Sequence, residues 1–179
     1  MKQEQMHEQF VSGICQATES VLSTMMGLSA TMGVPSMDSP GPGPLGGVSA
    51  MVSIVGAWSG AGVVGCDEKF ARRLAGAMLM TEYDSVNDDV LDAMGEIGNM
   101  IIGNVKNGLE AAVGTLALGV PTVTFGRDFA TRSMVKQAWT LVPFTCDGDK
   151  FFVQVQLTEV SQVSHPVRVG HRQLAEATV

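Results

Sequence analysis

The sequence predicts an α+β protein of two layers, with about three helices packed on a largely antiparallel sheet of five or six strands. Two observations support this fold class. Apolar residues recur at helical spacing in three segments, and segments typical of strands lie between and after these helices. Of the 179 residues, 45% are hydrophobic and 16% are charged, which is typical of a compact globular protein.

The length of the chain suits one domain that buries a core without metal or disulfide support. We expect residues 1–160 to form this domain. Residues 161–179 are expected to be a C-terminal tail, with a short strand at 167–169 or partial disorder.

Charge and composition exclude several classes of partner. The formal net charge of -7 repels phosphate backbones and anionic lipids, so a nucleic-acid partner and a membrane surface are not expected. No stretch approaches the roughly 20 apolar residues of a membrane span. The three cysteines are widely spaced and form no C-x-x-C pair, which favours a reducing compartment and small core residues over disulfides. We therefore expect a cytoplasmic protein.

The N-terminal half is predicted to hold one long helix and a β-hairpin. Mostly helical spacing of apolar residues predicts a helix over 3–28. Residues 33–47 are rich in proline and glycine, so they are expected to be a loop. Two strands follow at 48–58 and 61–65, and Ser59-Gly60 is the predicted turn between them.

Two further helices have recognisable starts. Asp67 is the predicted N-cap of a helix that runs to about Met80. The segment Ser85–Asp88 fits the S-x-x-D capping pattern, which predicts that the next helix begins just after Ser85. Gly108 and Gly114 are the two candidate ends of this third helix.

The last part of the sequence favours strands. We predict strands at 121–125, 134–144 and 151–160. Cys146-Asp147-Gly148-Asp149 supplies a turn between the last two, which makes them an antiparallel pair.

The third helix carries an ordered row of polar residues. Asp92, Glu96 and Asn99 recur at i, i+4 and i+7, so they align along one side of the helix, and Gly103 and Lys106 extend the row. We call these five residues the polar stripe. The opposite side is apolar and is predicted to be buried, and it consists of Val90, Met94, Ile97, Ile101 and Val105. The polar stripe must then face solvent or a partner.

A carboxylate and a carboxamide one helical turn apart suit the positioning of a water molecule. The Asn99 carboxamide both donates and accepts hydrogen bonds, so it can orient water towards an electrophile, while the Glu96 carboxylate can pair with a cation of a partner. The chemistry that this pair fits best is hydrolysis of a phosphoryl group supplied by another molecule. A glycosidase is a poor alternative, because Asp92 and Glu96 lie on the same side and cannot flank a sugar.

The motif Asp92-x-x-x-Glu96-x-x-Asn99, followed by Pro121 after 21 intervening residues, resembles the active-site motif of the CheC/CheX/FliY family of chemotaxis phosphatases. The surrounding EIGNMIIGNVK and the later GVPTVTFGRD are most similar to the CheX branch. The order of elements is also similar up to about Val160. Only one such motif is present, since Leu22 stands where Glu19 would need an asparagine.

The resemblance implies a function and a partner. It implies dephosphorylation of a response-regulator receiver domain similar to CheY, with Asn99 orienting the attacking water and Glu96 pairing with a receiver lysine. Mg²⁺ would belong to the receiver, so no cofactor and no metal ligand are expected in this chain. The CheX branch also implies a homodimer with one site per subunit. The alternative function is a non-catalytic adaptor that binds a receiver domain or a flagellar switch component.

Three members of the polar stripe are predicted to serve the partner, each with an open alternative. Asp92 either contacts the partner or supports the local helix. Gly103 either admits the partner's backbone or packs against a neighbouring element of the same chain. Lys106 either binds the partner or is a solvated cation.

Overall fold

The computed structural model describes residues 3–38, 45–129 and 138–160. Its three helices are α1 (Gln3–Met26), α2 (Glu68–Leu79) and α3 (Asp88–Val113). Its strands are β1 (Thr31–Met32), β2 (Ser36–Asp38), β3 (Leu45–Gly56), β4 (Trp58–Cys66), β5 (Leu116–Leu118), β6 (Thr122–Phe129), β7 (Trp139–Cys146) and β8 (Asp149–Glu159). Among the described residues, none of the helices is long and apolar enough to cross a membrane.

The strands form one antiparallel sheet in the order β1-β7-β8-β4-β3-β5, with β2 also paired to β7 and β6 also paired to β3. The predicted α+β class, with three helices on an antiparallel sheet, is confirmed. The predicted strand number was too low, because the described residues already form eight strands of this sheet. β1, β2 and β5 are only two or three residues long, too short for an alternating pattern to identify them.

The helices cover one face of the sheet, and α3 contacts β3, β4, β5 and β6. On β3 the residues that face the helices, Val48, Ala50, Val52 and Ile54, alternate with exposed residues such as Met51 and Val55. The predicted apolar side of α3 is confirmed, because all five of its residues are almost completely buried. Burying these side chains holds the helix in one rotation about its axis.

Two predictions for the N-terminal half are corrected. Residues 33–47 are not entirely a loop, since β2 lies within this range and β3 already begins at Leu45. The hairpin is confirmed, but β3 and β4 are joined at Ala57 rather than at Ser59-Gly60, both of which belong to β4. Gly60 is needed inside the strand, because a Cβ there would collide with the carbonyl of Gln156 on β8.

The start of α2 is as predicted, whereas the start of α3 differs. The Asp67 carboxylate accepts a hydrogen bond from Phe70 N at 2.7 Å and caps α2. The N-cap of α3 is Asn87, whose Oδ1 accepts from Val90 N at 3.1 Å, and the predicted cap at Ser85 was wrong. Serine and asparagine are equally good caps, so the sequence offered two starts two residues apart.

The predicted antiparallel pair at the C-terminal end is confirmed. Asp147 and Gly148, with φ of 48° and 89°, form the turn between β7 and β8. A two-residue turn with both φ values positive matches the twist of a hairpin. The first of these strands, β7, begins at Trp139 in the described residues, and the predicted part of the strand at 134–137 lies outside them. The tail at 161–179 also lies outside them, so the boundary at 160 stays a prediction.

The cysteines are free thiols, and two of them are core residues. Cys66 and Cys146 are buried, as predicted, whereas Cys15 is half-buried on α1. Burial raises the pKa of the Cys66 thiol well above its ordinary value. This thiol is therefore neutral and serves as a small apolar group of the core.

Candidate active site on helix α3

Glu96 and Asn99 lie on the side of α3 that is turned away from the core. Asp92 and Glu96 are exposed and Asn99 is half-buried, in the middle of a helix of 26 residues. The prediction that this side faces solvent or a partner is confirmed for these three residues. A carboxylate and a carboxamide are thus presented from a rigid element, one turn apart.

Two glycines bring α3 close to the sheet beneath the site. A Cβ on Gly98 would lie 2.8 Å from the Cβ of Ala50, and one on Gly95 would lie 3.2 Å from Cγ2 of Val123. Both glycines are buried. Both also lie inside the Asp92–Asn99 motif. They serve packing of α3 against β3 and β6.

A segment after α3 returns along the polar stripe. A Cβ on Gly103 would lie 3.5 Å from Cδ1 of Leu118, whereas one on Gly95 would lie 3.9 Å from Cβ of Pro121. Gly95, Asn99 and Gly103 are spaced by four residues and share one row of the helix. The returning segment therefore runs antiparallel to α3, and we infer from these two contacts that Gly119-Val120 lie level with Asn99.

The returning segment contains Val120 and Pro121. Pro121, quoted for its spacing to Asn99, lies beside the same row of α3 as Asn99. Val120 precedes it and is 88% exposed at the edge of the site. The contact of Leu118 with Gly103 is an ordinary van der Waals distance, so tight packing within the chain does not require glycine at 103.

Lys106, the last member of the polar stripe, forms hydrogen bonds within the chain. Its Nζ donates to Glu110 Oε1 at 2.9 Å and to the carbonyl of Leu116 at 3.2 Å, and its side chain is only 16% exposed. The same Glu110 oxygen accepts from Leu116 N at 2.9 Å. The Leu116 N–H, followed by the Lys106 ammonium, lowers the pKa of the Glu110 carboxyl. The ammonium predicted to contact a partner thus already has two acceptors.

Glu110 and Leu116 were not identified from the sequence. The i, i+4 spacing of Lys106 and Glu110 was an available signal for an ion pair along the helix. That spacing does not indicate that Leu116 is hydrogen-bonded to both side chains. Leu116 comes close to them only because the chain turns back after Gly114.

A second group of ion pairs lies away from the polar stripe, around Asp149. Asp149, at the start of β8, accepts from Lys69 Nζ at 2.7 Å and from Arg73 at 3.0 Å. The hydrogen bond from Lys69 and the one from Arg73 lower the pKa of this carboxyl. This cluster ties α2 to the β7–β8 turn and contains no residue of the polar stripe. Within the described ranges, no three His, Cys, Asp or Glu side chains are grouped to hold a metal ion.

A comparison with protein families shows to which family the chain belongs. The family model described as chemotaxis phosphatase CheX matches residues 48–145, more than half of the chain. The chain belongs to the CheX family. This match includes α2, α3 and the whole of the polar stripe. A comparison with curated protein sequences gave no match.

Solved CheX structures share this fold. The chemotaxis protein CheX from Desulfovibrio desulfuricans is 29% identical, with a TM-score of 0.74 over 86% of this chain and 99% of that chain. CheX from Vibrio vulnificus is 25% identical, with a TM-score of 0.75 over 84% of this chain and 99% of that chain. CheX in a CheX–CheY–BeF3–Mg²⁺ complex from Borrelia burgdorferi is 25% identical, with a TM-score of 0.70 over 84% and 98%.

Proposed function

We propose that this CheX protein hydrolyses the aspartyl phosphate of a response-regulator receiver domain similar to CheY. One observation carries the proposal: Glu96 and Asn99 project from α3 at a surface that a partner can reach, in a chain of a chemotaxis phosphatase family. The similarity to a CheX found in complex with CheY and Mg²⁺ supports a receiver as the partner.

Asn99 is proposed to position the attacking water. Its carboxamide oxygen accepts a hydrogen bond from the water and turns a lone pair of that water towards phosphorus. The new O–P bond forms in line with the bond that breaks between phosphorus and the aspartyl oxygen. The leaving group is a carboxylate with a low pKa, so it departs without a general acid, and the proton of the water passes to the released phosphate.

The energetic requirement of this reaction is small. An acyl phosphate is already reactive, and a hundredfold acceleration needs a barrier lower by only about 2.7 kcal/mol. Fixing one water at the correct angle supplies a reduction of that size. Mg²⁺ is proposed to come with the receiver, where it neutralises charge on the phosphoryl oxygens. The chain itself is proposed to need no cofactor.

Glu96 is proposed to pair with a lysine of the receiver, and Asp92 and Gly103 to border the same contact. An exposed carboxylate one turn from Asn99 can set the register between the two proteins through such an ion pair. The pair steers the approach of the receiver and fixes the phosphoryl group opposite the carboxamide.

Replacing Glu96 by alanine is expected to raise KM for the phosphorylated receiver about tenfold and to lower kcat as well. The difference from wild type should shrink at high salt, because screening already weakens the ion pair in the wild-type complex. The measurement is the initial rate of phosphate release against receiver concentration at two ionic strengths. Glu8→Ala removes the same charge from an exposed position on a different helix, α1, and is expected to change neither constant. Unchanged KM and kcat in Glu96→Ala would remove the proposed role.

A non-catalytic adaptor that binds a receiver or a flagellar switch component is the second candidate. It is favoured by the small number of polar groups at the site, since two exposed side chains suffice for binding alone. An adaptor would bind the receiver and leave the lifetime of its phosphoryl group unchanged.

We further propose that the protein is a homodimer with one site on each subunit. Equilibrium sedimentation at micromolar concentration is expected to give twice the mass of the chain, which is 18.8 kDa. A single species at the mass of one chain across this concentration range would contradict the dimer.

A further inference from the structure

Lys106 and Glu110 form an ion pair, and both also bind the backbone of Leu116. The two side chains together satisfy both backbone groups of Leu116, since Glu110 accepts from its N–H and Lys106 donates to its C=O. In a strand, the N–H and C=O of one residue point to the same side. Leu116 is paired with β3 at Gly56 on its other side, so the pair occupies the position of a further strand at this edge of the sheet.

Leu116 begins the segment that returns to Asn99. Leu118 lies against Gly103 and Pro121 against Gly95. Asn99 lies halfway between these two glycines on the same row of α3, so Gly119-Val120 are inferred to lie level with it. The middle of the segment is held by Gly119 N, which donates to the carbonyl of Ser53 at 2.9 Å. The segment 116–121 is thus fixed at Leu116 by two side chains of α3 and at Gly119 by β3.

We propose that Lys106 and Glu110 are positioning residues of the active site, which fix the 116–121 segment against α3 so that Gly119-Val120 bounds the space in which Asn99 holds its water. Both come from the same helix as Asn99, seven and eleven residues further on. The distance between the water-orienting carboxamide and the segment is therefore set within one rigid element. This inference rests on the proposed function. In it, Lys106 binds residues of its own chain and does not contact the partner.

A positioned water reacts fast only when the groups around it are precisely placed. A displacement of about 1 Å in a group that bounds a reacting water lowers the rate severely without weakening the encounter of the two proteins. Losing the pair removes the hydrogen-bond partners of the Leu116 N–H and C=O at the edge of the sheet, where β5 is only three residues long. Such a short strand is held weakly by its ladder to β3, so the two side chains account for a large part of its order.

The test compares Glu110→Ala, Lys106→Met and Glu110→Gln in the decay of a phosphorylated receiver. Alanine removes the acceptor of Leu116 N, and we expect kcat to fall about tenfold with KM changed by less than about twofold. Glutamine keeps an acceptor oxygen for Leu116 N and for Lys106, so its kcat is expected to stay within about twofold of wild type. Lys69→Met, which removes a hydrogen bond to Asp149 away from the site, is the control for a general loss of stability and is expected to keep wild-type kcat.

A kcat of Glu110→Ala and Lys106→Met equal to that of Lys69→Met would overturn the proposal, as would an equal loss in Glu110→Gln and Glu110→Ala. Wild type and Asn99→Ala are assayed alongside and report on the proposed function separately. If wild type accelerates decay of no receiver, hydrogen exchange of the Gly119 amide decides whether the pair fixes the segment. Exchange about tenfold faster in Glu110→Ala than in Glu110→Gln supports it, and equal exchange refutes it.

Discussion

Replacing Asn99 by alanine is expected to lower kcat for receiver dephosphorylation about a hundredfold, to near the spontaneous rate, with KM changed by less than about threefold. The carboxamide contributes mainly in the transition state, where the water must be held in line with the bond that breaks. Removing it leaves the partner surface around Glu96 intact. The measurement is the initial rate of phosphate release from a phosphorylated receiver over a range of receiver concentrations.

Asn104→Ala is the matched control for this experiment. Asn104 is an exposed asparagine on the same helix, about 140° around the axis from Asn99, so its loss changes helix propensity and polarity equally. It is expected to retain wild-type kcat. A loss in Asn104→Ala equal to that in Asn99→Ala would show that the effect belongs to the helix and not to a positioned carboxamide.

Replacing Gly98 by leucine is expected to lower the free energy of unfolding by about 3 kcal/mol. The buried Cβ would meet Ala50 on β3 at 2.8 Å, so the helix must move away from the sheet and the contacts around it are lost. The midpoint and slope of urea denaturation, followed by circular dichroism, measure this change.

Gly108→Leu is the control that separates the packing effect of Gly98→Leu from its effect on helix propensity. Gly108 lies on the same helix, and a Cβ there has no neighbour within 4 Å. Leucine is the better helix former by up to about 1 kcal/mol, so this variant is expected to be as stable as wild type or slightly more stable. Equal destabilisation by the two substitutions would contradict the packing role of Gly98.

The rotation of α3 was predictable because it follows from local periodicity. Five apolar residues spaced for one side of a helix fix which residues face the sheet, and the direction of Glu96 and Asn99 then follows. The final hairpin was predictable for the same reason, since Asp147-Gly148 has the residue types that positive φ requires.

Features that depend on distant parts of the chain were missed. Whether Gly98 serves a partner or the core depends on Ala50, which is 48 residues earlier in the sequence. β5 is too short for an alternating pattern, and its pairing with β3 and with the Lys106–Glu110 pair arises only in the folded chain. The role of Lys106 was therefore open in the sequence, because an exposed cation and an ion-paired one have the same local pattern.

The proposed site residues could be named from the sequence, but their surroundings could not. Helical spacing placed Glu96 and Asn99 on one side of α3, and the resemblance to a known family supplied their proposed roles and drew attention to Pro121. The antiparallel return past Asn99 at Gly119-Val120 required the contacts of Leu118 and Pro121 with the helix. Geometry of this kind sets catalytic precision, and it is not encoded in a motif.

The most direct test of the central claim is turnover at low enzyme concentration. A receiver phosphorylated by a small-molecule phosphodonor is freed of excess donor, mixed with this protein at one part in a hundred, and followed by release of inorganic phosphate. We predict complete release much faster than spontaneous decay, with each chain acting on many receivers. Decay at the spontaneous rate for every receiver of the same cell, with binding retained, would contradict the phosphatase and leave the adaptor as the function.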